Sequence, residues 1–148
     1  MSRVLVADDH PFFRLGVAAV LRMGGHEVIA MTGDGDATLE TIEKVDPDIV
    51  LLDVRMPGRD GISTLQALRD RGDDRAVIIL TVEMTDQQLL DAMKARVNGV
   101  VFKHYGEDRL LEAIEAVKNG LRYIDGDLYD KALGFASAAS APSPLSGL

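Results

Sequence analysis

Five short apolar runs in this chain alternate with amphipathic stretches of helical period, and that alternation limits it to one architecture. The runs are Arg3–Ala7, Glu27–Met31, Ile49–Leu52, Ala76–Thr81 and Gly99–Lys103. The third and fourth are apolar almost throughout, as expected of strands covered on both faces. After each run, apolar residues recur at helical spacing. They are Phe13, Val17, Val20 and Leu21, then Ala37, Ile42 and Val45, then Ile62, Leu65 and Leu68, then Leu89, Leu90 and Met93, and last Leu110, Leu111, Ile114 and Val117. Pro11 suits a first helical turn, Gly24-Gly25 and Asn119-Gly120 suit helix ends, and Asp46-Pro47 forces the second helix to stop. Crossovers of this length demand parallel strands, right-handed connections and helices on both faces. The expectation is an α/β domain built on a five-stranded parallel sheet.

At 148 residues, 47% of them apolar and 27% charged, the chain has the size and composition of one globular domain. It contains no cysteine, which excludes a disulfide framework and a thiolate metal site and fits a reducing compartment. Met1-Ser2-Arg3 leads straight into the first strand, and no apolar run approaches the ~18 residues of a membrane span. A cytoplasmic protein without membrane contact is expected. The net charge of -8 repels phosphate backbones, so this chain alone is not expected to bind nucleic acid. After Gly120 the composition changes. Tyr123–Phe135 has the makings of one more short helix, and Ala136–Gly147 is Ala/Ser/Pro-rich linker. The division expected is a domain over 1–122 and a linker over 123–148 leading to a further domain absent from this chain.

The C-terminal strand ends collect chemistry. Asp8 and Asp9 follow the first strand, Asp53 the third, Thr81 closes the fourth and Lys103 the fifth. Ligands of open α/β sheets bind at such ends. Three carboxylates brought together repel one another unless a cation intervenes. Mg²⁺ is the natural one, a hard ion that combines one or two carboxylates with waters and phosphate oxygens. Thr81 offers a donor and Lys103 a compact positive charge, both suited to a phosphoryl group beside the metal. Asp53 is then the nucleophile, giving an aspartyl-phosphate.

The set Asp8-Asp9, Asp53-Val54-Arg55-Met56-Pro57-Gly58, Thr81 and Lys103 closely resembles the receiver domain of two-component response regulators over residues 3 to 120. That resemblance implies a flavodoxin-like sheet in the order 2-1-3-4-5, with its switch point between the first and third strands. It implies Asp53 as phosphoacceptor, Asp9 as direct Mg²⁺ ligand, Asp8 acting through metal-bound water, and the backbone carbonyl of Arg55 completing the coordination. Thr81 and Lys103 would hold the phosphoryl oxygens. It further implies a histidine kinase as donor, with the domain catalysing only its own phosphorylation and dephosphorylation. Asp8–Arg14 and Asn119–Tyr123 look like the NarL/LuxR class, in which a C-terminal helix-turn-helix domain binds DNA and phosphorylation drives homodimerisation.

Three positions depart from the family pattern. His104 replaces the proline that often follows the lysine, which predicts a trans bond there; Val100 replaces an aromatic residue, and Val82 a small one. Either Val82 and Val100 form a packed pair in place of the usual relay between the threonine and a ring, or the domain switches weakly. Arg55 and Glu83 are expected to flank the mouth of the site, either as a gate that controls water access or as an exposed ion pair worth little. His10 and His104 border the site with packing or solvent roles, and His26 begins a strand. Gly33-Asp34-Gly35-Asp36 reads as a turn capping the next helix. Asp125, Asp127 and Asp130 read as part of a capped linker helix and not as a calcium loop. Leu15 and Ala19 are either core or part of a dimer surface.

Two rivals are weaker. A haloacid-dehalogenase-like phosphatase needs a second acid where Arg55 stands, and a flavin-binding domain needs a phosphate-cradling loop where Asp8 and Asp9 stand. A pseudo-receiver that only binds other proteins is the remaining alternative.

Overall fold

The computed structural model describes residues 1–126 together with Leu128, Lys131 and Gly134. Its elements run β1 (Arg3–Ala7), α1 (Pro11–Met23), β2 (Glu27–Thr32), α2 (Gly35–Val45), β3 (Ile49–Leu52), α3 (Gly61–Asp70), β4 (Ala76–Thr81), α4 (Asp86–Lys94), β5 (Gly99–Phe102), α5 (Glu107–Lys118) and β6 (Tyr123–Ile124). All strand pairings are parallel, in the order β2-β1-β3-β4-β5-β6. This is the expected order 2-1-3-4-5 of a flavodoxin-like sheet, with one short strand added.

The pattern of apolar residues dictates two cores. Side chains alternate across each strand, so Leu52 and Ile79 meet Leu65 of α3 and Leu89 of α4 on one face, while Leu51 and Ile78 meet Leu21 of α1 and Ile114 of α5 on the other. The β3 run Ile49–Leu52 is buried at every residue. Burying each such side chain contributes roughly 1.5–3 kcal/mol, which fixes the central strands in register.

The starts of α2, α3 and α4 carry side-chain caps. Asp34 accepts from the Ala37 N–H, Asp60 from the Ser63 N–H, and Thr85 forms a capping box with Gln88. The Gly33–Asp36 turn is therefore a helix cap, as its sequence suggests. Asp46 turns left-handed (φ 51°) before Pro47 and ends α2.

Several details bear on the sequence expectation. Tyr123 and Ile124 form a sixth strand where the sequence predicts a helix, because the outer edge of β5 would otherwise lie unpaired. Gly126, Leu128, Lys131 and Gly134 are helical, and the remainder of Tyr123–Phe135 lies outside the described residues. The fourth helix stops at Lys94, since Arg96 turns to φ 57° and feeds β5. Lys103 opens a 3₁₀ turn, Lys103–Tyr105, immediately after β5. No cis peptide bond occurs among the described residues, so Lys103–His104 is trans as expected. Among the described residues no helix is long and apolar enough to cross a membrane.

Candidate functional site

Strand register brings the site together. Ala7 lies opposite Leu52, and Leu52 opposite Ile79, so the residues that follow β1 and β3 emerge side by side. Asp8 and Asp53 are those residues, buried to 3% and 4% exposure at the point where the strand order reverses. The Asp53 N–H donates to the Ala7 carbonyl at 2.9 Å, carrying the β1–β3 pairing one step beyond the strands.

Lys103 reaches back from the turn after β5 into this acidic pair. Its Nζ lies 2.6 Å from Asp8 Oδ2 and 3.1 Å from Asp53 Oδ2. The ring of Phe13, from the first turn of α1, lies below the ammonium at 4.2 Å from centroid to Nζ. Burial pushes the Asp53 carboxyl above its ordinary value, with the Lys103 charge opposing and the Asp8 charge reinforcing that rise. Asp53 Oδ1 faces the Arg55 N–H at 3.4 Å.

Asp9 is the exposed member of the cluster. His10 Nδ1 sits 3.1 Å from both Asp8 Oδ1 and Asp9 Oδ1, and the His10 N–H donates to Asp8 Oδ1 at 2.8 Å. One donor atom each from Asp8, Asp9, His10 and Asp53 fall within 4.8 Å of one another. Three carboxylates supply the hard oxygen donors that Mg²⁺ prefers, so the residues present fit that ion.

Thr81 is buried at the end of β4, but its hydroxyl donates to the Glu83 carbonyl at 3.1 Å and not to the carboxylates. Arg55 and Glu83 form an ion pair between the β3–α3 and β4–α4 loops, with both side chains largely exposed. The structure thus joins Asp8, Asp9, Asp53 and Lys103 directly, with Thr81 and Arg55 beside them. Val82 is 63% exposed while Val100 is fully buried, so the expected packed pair does not form; Val82 points out of the strand end and Val100 into the core.

Two neighbours of the site, Phe13 and Arg14, escape sequence reasoning, and a third, His10, is placed at its border without its contacts. Phe13 reads there only as part of the apolar stripe of α1, with no sign that its ring meets Lys103. His10 reads as a packing or solvent residue, yet it contacts two acids; its position directly after Asp9 is the available signal. Arg14 donates to the Asp8 carbonyl at 2.9 Å, a contact that only the α1–β1 packing creates. His26 begins β2's approach as expected, buried and accepting the Ser2 N–H, and its burial lowers its pKa. Asp127 and Asp130 lie outside the described residues.

Comparison with known proteins points one way. The family model for the response regulator receiver domain matches residues 4–115. The nitrate/nitrite response regulator protein NarP of Escherichia coli is 38% identical over 119 residues, 80% of this chain and 55% of NarP. The transcriptional regulatory protein DegU of Brevibacillus brevis is 32% identical over 123 residues, 82% of this chain and 52% of DegU. The crystal structure of a LuxR-family two-component response regulator from Aurantimonas sp. SI85-9A1 superposes with a TM-score of 0.83 at 28% identity, covering 90% of this chain and 96% of that one. The chain spans about half the length of the curated relatives it matches. With the family match running from β1 into α5, the chain belongs to the response regulator receiver family, and its relatives are of the NarL/LuxR type.

Proposed function

We propose that the domain is a phosphorylation-controlled switch whose phosphoacceptor is Asp53. The observation that carries this reading is the largely enclosed Lys103 ammonium bridging Asp8 and Asp53 at the sheet's switch point. A carboxylate held near a lysine and two further acids is arranged for phosphoryl transfer, in which positioning and charge neutralisation supply most of the catalysis.

Asp53, Asp9, Asp8 and the Arg55 carbonyl would hold Mg²⁺, which supplies charge neutralisation at the phosphoryl oxygens. An Asp53 oxygen attacks the phosphorus of a phosphohistidine on a histidine kinase; the new O–P bond forms as the P–N bond breaks and the imidazole leaves. Lys103 shifts from Asp8 toward the incoming oxygens. Thr81 turns its hydroxyl from the Glu83 carbonyl to the same group. Hydrolysis of the acyl phosphate by water returns free Asp53 and inorganic phosphate, so the chemistry is confined to the domain's own loading and unloading.

Residues 1–122, with the edge strand Tyr123–Ile124 paired to β5, would make up this receiver, and the segment beyond would lead as a linker to a C-terminal DNA-binding domain in the full protein. The output is transcription, in keeping with DegU, and the setting is cytoplasmic. Phosphorylation promotes a homodimer through α1, where Leu15 is 57% and Phe12 90% exposed beside exposed Ala19.

Intact-mass spectrometry after incubation with acetyl phosphate tests the reading. One phosphoryl group is expected on the wild type with Mg²⁺, and none without the metal or on Asp53→Asn. Failure of the wild type to load from acetyl phosphate and from a histidine kinase would leave the protein-binding pseudo-receiver as the better reading.

A further inference from the structure

Asp125 lies beyond the family-matched region, is 1% exposed, and has no place in the chemistry above. Its carboxylate accepts the Phe102 N–H at 3.1 Å through Oδ2, and the Gly126 N–H at 2.9 Å through Oδ1, which also receives the Arg109 guanidinium. Its own N–H donates to the Val100 carbonyl at 2.9 Å. The two-residue strand β6 ends at Ile124, opposite Val100. Asp125 therefore finishes the outer edge of β5 in place of a further strand residue: its backbone takes the Val100 carbonyl, and its side chain takes the Phe102 N–H that β6 is too short to reach.

Phe102 is the residue from which Lys103 departs. On the other side of the lysine, the Phe102 ring stacks on His104, with centroids 5.5 Å apart and planes at 21°. A helix cap would account for the Gly126 contact, but a cap is satisfied by any short polar side chain. It does not require a buried carboxylate that also holds the end of β5 and a guanidinium of α5. Those contacts tie three elements to the peptide that carries Lys103.

We propose that Asp125 is a positioning residue for Lys103 and couples loading of Asp53 to the linker. The inference rests on the phosphoacceptor reading given above. When Lys103 leaves Asp8 for a group on Asp53, the adjustment at Phe102 passes through the Asp125 carboxylate to Gly126 and to Leu128, whose N–H donates to the Asp125 carbonyl at 2.9 Å and whose side chain is buried in the core that also holds Leu65 and Leu89. Binding linkage makes the coupling reciprocal: a change in how the linker docks alters how tightly the site holds a phosphoryl group.

The test uses Mg²⁺ with beryllofluoride, a phosphoryl mimic, and amide hydrogen exchange on the full chain. In the wild type, exchange at Gly126 and Leu128 is expected to change by about fivefold on adding beryllofluoride. Asp125→Asn removes that response and lowers beryllofluoride affinity by about fivefold, while the protein remains folded by circular dichroism. Arg109→Gln, which loosens Asp125 without touching its acceptor for Phe102, gives the same change to a smaller extent and serves if Asp125→Asn does not fold. A cap with only a structural role would lower the melting temperature and leave both readouts unchanged, which overturns the proposal. An equal linker response in the wild type and both variants overturns it too, as does no response in wild type that binds beryllofluoride. A wild type that neither binds beryllofluoride nor takes a phosphoryl group on Asp53 in the intact-mass assay overturns the phosphoacceptor reading itself.

Discussion

Lys103 rests closer to Asp8 than to Asp53, with its Nζ 2.6 Å from the one carboxylate and 3.1 Å from the other. An ammonium at that place occupies the charge-neutralising role that a divalent cation would share. On the reading proposed above the lysine and the metal would compete for Asp8, and removing one would strengthen the hold of the other. Lys103→Met is expected to tighten Mg²⁺ binding by about tenfold, an energy of about 1.4 kcal/mol. The same variant is expected to fail at Mg²⁺-dependent loading of Asp53, because a more tightly held metal would not replace the ammonium proposed to steady the phosphoryl oxygens. A Mg²⁺ titration by calorimetry beside the intact-mass assay separates the two effects, and unchanged Mg²⁺ affinity refutes the competition.

Asp53 carries its charge against the preference of its surroundings. Its folded pKa lies above the ordinary carboxylate value of 3.8, burial being the largest cause. A raised acid contributes stability below its unfolded pKa, and that contribution is lost as pH rises through the folded value. At neutral pH the ionised Asp53 therefore destabilises the fold. Asp53→Asn is expected to melt a few degrees higher than the wild type at pH 7, with the gap closing as pH falls toward 3.8. Melting curves of the two proteins between pH 7 and pH 4 check the sign; a lower melting temperature for Asp53→Asn at pH 7 would contradict it.

Arg55 and Glu83 span the entrance above Asp53, both well exposed. An exposed pair contributes ~0–1 kcal/mol to folding, so its main effect lies in what it covers. Alanine at both positions is expected to speed loss of the phosphoryl group severalfold by opening the approach of water. Stability should change by no more than ~0.5 kcal/mol. Dephosphorylation followed by mass after removal of acetyl phosphate measures this, and an unchanged rate rejects the gate.

The fold is legible because each strand and helix announces itself locally: β3 as four buried apolar residues, α1 through Pro11 and the Phe13–Leu21 stripe. The acids and the lysine are legible because parallel topology sends every strand end to one edge. What the sequence hides depends on contacts between elements. Phe13 beneath Lys103, Arg14 on the Asp8 carbonyl and Asp125 on the Phe102 N–H each join residues from different elements. The sixth strand is hidden for a related reason. Tyr123 and Ile124 are too few to show a period, and they extend only because β5 offers an open edge. Thr81 sits on its strand as the sequence predicts, while the direction of its hydroxyl follows from the Glu83 carbonyl, which no local pattern reveals.

Gly61 presses directly on the backbone of Asp53. A methyl group at this position would lie 2.1 Å from the Asp53 carbonyl oxygen, 2.8 Å from its carbon and 3.0 Å from Val54 Cα. The Gly61 N–H also donates to the Val54 carbonyl at 2.9 Å, so helix α3 starts in contact with the loop that carries Asp53. Main-chain atoms have no rotamer through which to yield, and relief must come from displacing that loop. Alanine raises helix propensity over glycine by ~0.5–1 kcal/mol, whereas overpacking costs ~1–3 kcal/mol, so the clash prevails. Gly61→Ala is expected to lower stability and to slow loading of Asp53 together. Gly16 provides the contrast: it lies within α1 with nothing within 4 Å of an added methyl, so Gly16→Ala gains the propensity term alone, ~0.5–1 kcal/mol. Denaturant unfolding of both variants, with the intact-mass assay beside it, decides the point. Opposite signs of stability change are expected, and a loading defect only for Gly61→Ala; equal gains from both would mean that the Asp53 loop gives way without cost.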